Sequence, residues 1–407
     1  MDATFTAAEK QWMRRALALA ARGRGRVEPN PMVGCVIVRS GRVLGEGYHH
    51  HFGGPHAEIE ALRHCARSPR GAVVYVTLEP CCHVGKTGPC TDALLSAGVS
   101  RIVAAMTDPF PCVRGRGFRA LRAAGVRVDV GLCRDDAEAL NAPFLTLRRT
   151  GRPWVILKWA QSLDGRLATR TGDSRWISGD LSRRLAHRLR GRVDAILVGI
   201  GTVVADDPML TCRDAGRLRI ARRIVLDSRL RIPLRCQLVS SAGDTPVLVA
   251  ATREAVRASR KKVRDLVAAG VEVLPLPSLE GRVSVAGLLR ELGRRECTNV
   301  LVEGGPELLG TFADEGLADE AYVFVAPRII GGRRAPGAIG GSGPAWIRNS
   351  LVISRPSFRR VGEDWLIRFR WPGPGRVGDP GGVPNHPRPD AGTSANVGIS
   401  VSGRTRS

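Results

Sequence analysis

Nowhere in the chain does an apolar run approach the roughly 20 residues that a bilayer-spanning helix needs. The opening residues, Met1 to Lys10, carry acids and no apolar core of the signal-peptide kind. Membrane association and export are therefore not expected, and the cytoplasm is. Aromatic residues make up only 5% of the sequence, which leaves few platforms on which nucleic-acid bases could stack. Lysine is scarce, so the formal charge of +24 rests on arginines scattered through every segment. Clustered cations gain affinity by displacing counterions from phosphate. Scattered ones read as solvated faces, and no nucleic acid is expected as a partner. Ten cysteines stand in this non-secretory setting, where thiols stay reduced and a cysteine pair points to metal rather than to a disulfide. Cys35, Cys65, Cys112, Cys133, Cys212, Cys236 and Cys297 sit singly and read as small core or surface residues.

At 407 residues the chain exceeds one ordinary hydrophobic core, so two domains and an appendage are expected. Thr6-x-x-Glu9 is a capping box, and Trp12, Met13, Ala16, Leu17 and Ala20 recur at helical spacing up to Gly23. The runs 33–38 and 42–47 flank Ser40-Gly41 and predict a hairpin. Strands are predicted over 72–78, 101–106 and 126–130 and helices over 57–66, 91–97 and 135–148, an alternation that ends at Thr150-Gly151-Arg152-Pro153. A second α/β unit opens at Trp154. Its predicted strands are 154–159, 195–199, 223–227, 247–250, 271–274, 299–302, 321–326 and 365–371, with helices over 180–190, 253–269 and 285–294. After Trp371 the sequence turns to Pro, Gly, Ser, Thr and Asn, too poor in apolar residues to build a core. The expected division is residues 1–150, residues 151–372 and a disordered tail over 373–407.

Pro55-His56-Ala57-Glu58, together with Glu79-Pro80-Cys81 and Gly88-Pro89-Cys90, supplies the parts of a hydrolytic zinc site. Three protein ligands leave the fourth tetrahedral position open, where a bound water is acidified to a pKa of roughly 7. A Glu two residues from the His need not be a ligand. It can take the proton from that water and deliver it to a leaving amine, the division of labour in zinc-dependent base deaminases. A closed structural site would want a fourth Cys or His. A helix opening at Ala57 puts His56 and Glu58 near its N-terminus and aims both at one pocket. Of the triplet His49-His50-His51, loop exposure accounts for two; an accessory metal site is the alternative.

General cytidine and adenosine deaminases space their two cysteines as Cys-x-x-Cys. Here eight residues, Cys82 to Pro89, separate Cys81 from Cys90. That insertion accompanies Asn30-Pro31-x-Val33-Gly34, His56-Ala57-Glu58, Thr77-Leu78-Glu79-Pro80-Cys81 and Asp108-Pro109. Further on come Lys158, Ser162-Leu163-Asp164-Gly165, Thr171-Gly172-Asp173-Ser174-x-Trp176-Ile177, the run from Val198-Gly199 to Leu210-Thr211, and Val302-Glu303-Gly304-Gly305. In this order the motifs closely resemble the bifunctional deaminase/reductase family of riboflavin biosynthesis, over residues 6 to 371.

The resemblance implies an α/β protein with an N-terminal cytidine-deaminase-like domain followed by a dihydrofolate-reductase-like domain. It implies zinc held by His56, Cys81 and Cys90, with Glu58 shuttling the proton, and pyrimidine and phosphate contacts from Asn30, His49, His83 and Lys86. The implied substrate is a ribosylaminopyrimidine 5′-phosphate that loses ammonia, after which NADPH reduces its ribosyl group to ribityl. Cofactor positions fall on Ala160, Trp176, Thr202, Asp206 and Ser228, and on Gly305, Pro306, Glu307, Leu308, Leu309, Gly310 and Thr311, where glycine and a helix N-terminus admit a pyrophosphate. Trp176 could equally be core. Reductase substrate positions fall on Ser174, Arg190, Leu210, Arg213 and Glu303. Lys158 and Asp164 are candidates for polarising or protonating the reduced centre, and spacing does not choose between them. The expected partners are small phosphorylated substrates and further copies of the chain. Two rivals stay open: a nucleic-acid base deaminase with a binding second half, and a zinc-stabilised basic nucleic-acid-binding protein. Glu58 weighs against the latter, because a structural site has no use for a carboxylate beside an open coordination position.

Overall fold

The computed structural model describes residues 5–83, 88–213 and 215–372. Lys86 and the tail expected to be disordered, 373–407, lie outside the described residues. The capping box forms: Glu9 N donates to Thr6 Oγ1 at 3.2 Å and Thr6 N donates to Glu9 Oε2 at 2.8 Å. It starts the helix Ala7–Ala20, which buries Met13, Ala16, Leu19 and Ala20. The hairpin Gly34–Arg39 and Arg42–Tyr48 forms one edge of a five-stranded sheet, continued by Val73–Val76, Arg101–Ala104 and Arg127–Val130. Side chains alternate between its faces. Cys35 and Ile37 pack with Ala57 and Ala61 of the helix Ala57–Arg63, while Val36 and Val38 pack with Met13 and Ala16. The sheet is thus covered on both sides, and the ends of its strands are left to carry the site.

The second half is built on a nine-stranded sheet. Its order is Val271–Leu276, Val247–Thr252, Arg222–Leu226, Ala195–Gly199, Asn299–Glu303, Trp154–Ser162, Glu320–Ala326, Asp364–Arg370 and Ser357–Val361. Strands up to Glu320–Ala326 run parallel, and the last two are antiparallel. Continuous apolar runs suit parallel strands covered on both faces: Val155 and Leu157 face one core cluster, Trp154 and Ile156 the other. Among the described residues, no helix is long and apolar enough to cross a membrane.

Among the departures from the sequence reading, three elements stand out. The helix expected over 135–148 is two, Arg134–Leu140 and Ala142–Thr150, because Asn141 turns its side chain to Met32, accepting its N–H at 2.8 Å and donating to its carbonyl at 2.9 Å. The helix expected over 253–269 breaks at Ser259 into Arg253–Ala258 and Arg260–Ala268. The strand Ser357–Val361 was not anticipated; it is an edge strand whose residues are nearly all exposed, so it carries no alternation to read.

The chain passes between the halves at Gly151, whose φ of 69° closes the helix Ala142–Thr150. A side chain at Gly293 would collide with the Gly151 carbonyl, so the two backbones are in direct contact. Arg148 grips Glu296 through two hydrogen bonds of 3.2 and 2.7 Å, and Arg152 grips Asp319 at 2.5 and 2.8 Å. Arg370, from the far strand, donates to Ala139 O at 3.1 Å.

Candidate functional site

His56 is the N-cap residue of the helix Ala57–Arg63, Cys90 is the first residue of the helix Cys90–Ser96, and Cys81 follows the strand Val73–Val76. Two helix starts and a strand end therefore converge. His56 Nδ1 lies 3.4 Å from Cys81 Sγ and 3.3 Å from Cys90 Sγ, and all three donor atoms fall within 4.8 Å of one another. One imidazole and two thiols on such a radius fit a tetrahedral zinc ion with its fourth position open. The Cys81 sulfur also accepts the Cys90 backbone N–H at 3.3 Å. The hydrogen bond between the two thiols, more than any other neighbour, holds the Cys81 thiol below its usual value and pushes the Cys90 thiol up, so the pair shares one proton. Cys82 takes no part: its thiol points toward the Cys112 carbonyl at 4.0 Å.

Glu58 is buried one helical residue beyond Ala57. Burial, and then the Cys81 sulfur, push its carboxyl up to about 7. A carboxyl poised at that value both takes and gives a proton near neutrality. His49 meets the ring of His56 edge-on, with centroids 5.6 Å apart. Its Nδ1 donates to Pro55 O at 2.9 Å, and its Nε2 lies 3.1 Å from Asn30 Nδ2. Burial lowers the His49 pKa, keeping the ring neutral. Asn30 and His49 are thus brought together beside the metal ligands. His83 is exposed on the loop after Cys82.

Sequence reasoning passed over the role of Glu79. Its buried carboxylate collects four backbone amides: Asp108 N at 3.2 Å, Gly115 N at 2.9 Å, Gly117 N at 3.0 Å and Phe118 N at 3.3 Å. The strand end bearing Cys81 is thereby tied to the start of the helix Arg116–Ala123. The signal was an acid between an apolar strand and a Pro-Cys ligand, a place where burial demands hydrogen bonds.

In the second half the expected residues gather where parallel strands end, the usual place for ligands in such sheets. Lys158 and Glu303 are paired across neighbouring strands, with Lys158 Nζ 3.4 Å from Glu303 Oε2. Arg190, at the end of the helix Asp180–Arg190, holds both carboxylate oxygens, Nε to Oε1 at 2.7 Å and Nη2 to Oε2 at 2.8 Å. Burial opposes ionisation of Glu303, but Arg190 and then Lys158 override it and hold the carboxyl well below the usual range. Leu210 is buried with a φ of 50°. It leads into Thr211, whose carbonyl lies 3.0 Å from His187 Nδ1, and then Arg213, whose side chain is exposed.

Asp164 is separated from this triad. Ser162 Oγ at 2.6 Å, Ile330 N at 3.0 Å and Gly331 N at 2.7 Å occupy its carboxylate, and these bonds, Ser162 first, lower it to about 2. Through these bonds it ties residues 162–164 to the loop at Ile330 and Gly331. Ala160 shares the strand face of Lys158. Thr202 and Asp206 lie on the helix Ile200–Asp206, which directly follows the strand Ala195–Gly199. Arg175 donates to Asp206 O at 2.8 Å, drawing in the loop that carries Ser174 and Trp176. Trp176 is not core: it is 61% exposed, with Arg183 over its ring at 4.5 Å. Ser228 follows the strand Arg222–Leu226 and accepts Val283 N at 3.0 Å.

Gly305 caps the helix Pro306–Asp314 without any side-chain cap, and a Cβ placed on it would meet nothing within 4 Å. The helix start at Gly305 is thus open on that side, while the Leu309 amide is bonded to the Gly305 carbonyl and Gly340 packs against Pro306 and Glu307; Gly310 and Thr311 lie a turn further on. The open start is a fit for a pyrophosphate.

Comparison with known proteins agrees with both halves. Residues 6–106 match the cytidine and deoxycytidylate deaminase zinc-binding region, and residues 153–367 match the RibD C-terminal domain. The riboflavin biosynthesis protein RibD of Aquifex aeolicus (strain VF5) is 41% identical over 362 residues, 89% of this chain and 98% of that protein. Acinetobacter baumannii RibD, form 1, superposes with a TM-score of 0.78 at 36% identity, covering 90% of this chain and 99% of the other. A diaminohydroxyphosphoribosylaminopyrimidine deaminase/5-amino-6-(5-phosphoribosylamino)uracil reductase from Thermotoga maritima gives a TM-score of 0.77 at 34% identity, with 89% and 99% covered. With near-complete coverage at this identity and a zinc-type donor set in place, the chain belongs to the RibD family and is a bifunctional deaminase and reductase of riboflavin biosynthesis.

Proposed function

We propose that the chain performs the two reactions for which the Thermotoga maritima protein is named, first on 2,5-diamino-6-ribosylamino-4(3H)-pyrimidinone 5′-phosphate. The observation that carries this reading is the buried Glu58 beside the His56, Cys81 and Cys90 donors, in one chain with the open helix start at Gly305. Zinc, when bound, acidifies a water. Glu58 takes a proton from the attacking water and returns it to the amine nitrogen, so a C–O bond forms, the C–N bond breaks and ammonia leaves. Asn30 and the neutral His49 would orient the pyrimidine, and the resemblance gives the phosphate contacts to His83 and to Lys86, which lies outside the described residues.

The product then meets the second half, in a boundary we place at residues 150 and 151. NADPH, when bound, would supply the hydride for the ribosyl C1′; the chain's own part would be a proton for the oxygen released as the ring C–O bond opens, giving 5-amino-6-ribitylamino-uracil 5′-phosphate. Lys158 is the better-placed donor of that proton, since Asp164 is committed to the Ile330 and Gly331 amides. Residues 305–311 would cradle the cofactor pyrophosphate, with Ala160, Trp176, Thr202, Asp206 and Ser228 around the rest. Ser174, Arg190, Leu210, Arg213 and Glu303 would line the sugar-phosphate side; there the Arg190–Glu303 pair fixes Lys158.

Small phosphorylated molecules, not nucleic acid, are the partners this arrangement suits, because many arginines are spent inside the fold in ion pairs such as Arg101–Glu9, Arg152–Asp319 and Arg190–Glu303. Thiol ligands need reducing surroundings, which supports the cytoplasm. The edge strand Ser357–Val361, with Phe358 63% exposed and Ile347 91% exposed nearby in sequence, supports self-association through this edge. The test is to supply the diaminopyrimidinone ribotide to the zinc-loaded protein, measure ammonia, then add NADPH and follow its oxidation. Ammonia without NADPH oxidation would remove the reductase assignment; neither would remove both.

A further inference from the structure

A cleft of about 530 Å³ opens between the halves, walled by Arg26, Glu28 and His51 on one side and Arg217, Leu218 and Arg219 on the other. That is ample for a nucleotide-sized molecule. The walls touch at its base: a Cβ on Gly25 would lie 3.1 Å from side-chain carbons of Arg192 and Leu218. The carboxylate among its described lining residues, Glu28, is already committed. Glu28 accepts Gly25 N at 2.9 Å and pairs with Arg219 at 3.3 Å, and Arg219 pairs with Asp194 as well. Arg26 and Arg217, by contrast, are exposed and carry no ion pair among the described residues. Among the described residues the cleft therefore carries more positive than negative charge, which favours an anion there.

Each wall is close along the chain to residues of one site. Glu28 is two residues before Asn30 and His51 two after His49, and Asn30 and His49 are joined at 3.1 Å next to His56. On the other wall the Leu218 and Arg219 amides both donate to the Gly191 carbonyl, at 3.0 and 3.1 Å. Gly191 follows Arg190, which grips Glu303.

We infer that this cleft is a transit subsite for a phosphate monoester, in which Arg26 and Arg217 hold the deaminated ribotide by its phosphate as it passes from the first site to the second. The inference rests on the two-step function proposed above, and no bond is made or broken there. Exposed guanidinium groups suit such a station: they form charge-assisted bonds to phosphate oxygens yet stay hydrated enough to release them.

The test uses the full-length, zinc-loaded enzyme turning over isotopically labelled first substrate with NADPH, in the presence of excess unlabelled deaminated intermediate. In the wild type the label should reach the reduced product with little dilution. In R26E/R217E dilution should rise to full mixing, while ammonia release and reduction of supplied intermediate, each measured alone, stay unchanged; R26A/R217A should fall between. Inorganic phosphate should raise dilution in the wild type. Full mixing in the wild type, or undiluted transfer in R26E/R217E, overturns the inference. So does loss of a single half-reaction in the variants, which would put the arginines in that active site. Phosphate that changes half-reaction rates without changing dilution would make free phosphate the occupant and equally overturn it. A wild type lacking either half-reaction overturns the functional reading itself, and the separate half-reaction assays report that case by themselves.

Discussion

Replacing Glu79 by glutamine tests how the zinc site is held. Oε2 accepts the Asp108 and Gly115 amides, and Oε1 accepts those of Gly117 and Phe118. A glutamine amide can flip, but either way one oxygen becomes an NH2 group facing two N–H donors. Two buried amides lose their acceptor whichever orientation is chosen. At about 1.5 to 3 kcal/mol for each hydrogen bond to a charged group, the loss is about 3 to 6 kcal/mol. That is a large share of the roughly 5 to 15 kcal/mol by which a domain is stable. Cys81 lies two residues along, so the same change should loosen the metal. The assay is urea unfolding of the zinc-loaded protein, followed by backbone signal and by zinc release. Glu79→Gln should unfold at lower urea and release zinc earlier, and Glu79→Ala, which orphans all four amides, should fall further. If Glu79→Gln stayed within about 1 kcal/mol of wild type, less than one such bond, and kept its zinc, the cradle would not be what positions Cys81.

Glu58→Gln should cut ammonia release by at least about 100-fold, the low end for a lost acid–base group, while metal analysis finds zinc still bound. Zinc content should collapse in Cys81→Ser and in Cys90→Ser but survive in Cys82→Ser, whose thiol faces the Cys112 carbonyl instead of the ligand set; the opposite pattern would reassign the ligands. Gly305→Asp should leave folding and ammonia release intact, since its Cβ meets nothing within 4 Å. It should abolish NADPH oxidation by setting a carboxylate where a pyrophosphate belongs, and continued oxidation would move the cofactor elsewhere.

The candidate metal cluster His56, Cys81 and Cys90 was legible because its chemistry is local: a His-x-Glu at a helix start and two Pro-Cys steps announce themselves without a fold. The strands were legible for a similar reason, since continuous apolar runs such as 195–199 and 299–303 need both faces covered. What the sequence hid depends on distant partners. Asn141 breaks a helix to reach Met32, 109 residues away. Arg190 and Lys158 converge on Glu303 from 113 and 145 residues away, and only family resemblance pointed to them. Spacing did not choose between Lys158 and Asp164 as candidates for polarising or protonating the reduced centre, and the amides of Ile330 and Gly331 that bond Asp164 lie far along the chain. Charge misled least where it was paired least: Arg26 and Arg217 were lost among many arginines until their neighbours could be seen.

The joint at Gly151 bears on how such a protein could be taken apart. A linker that swings needs solvent around it, whereas here Gly293 lies against the Gly151 carbonyl and Arg148, Arg152 and Arg370 each reach a partner across or beside the junction. Inserting flexible residues at that point would not lengthen a tether; it would pry apart a seam. Two genes made by cutting there would each encode a half with a raw face, and their products would have to find one another again to restore the Arg148–Glu296 and Arg370–Ala139 contacts. Fusion at this junction is, in that sense, an architectural joint as well as a way of making two catalysts in equal number.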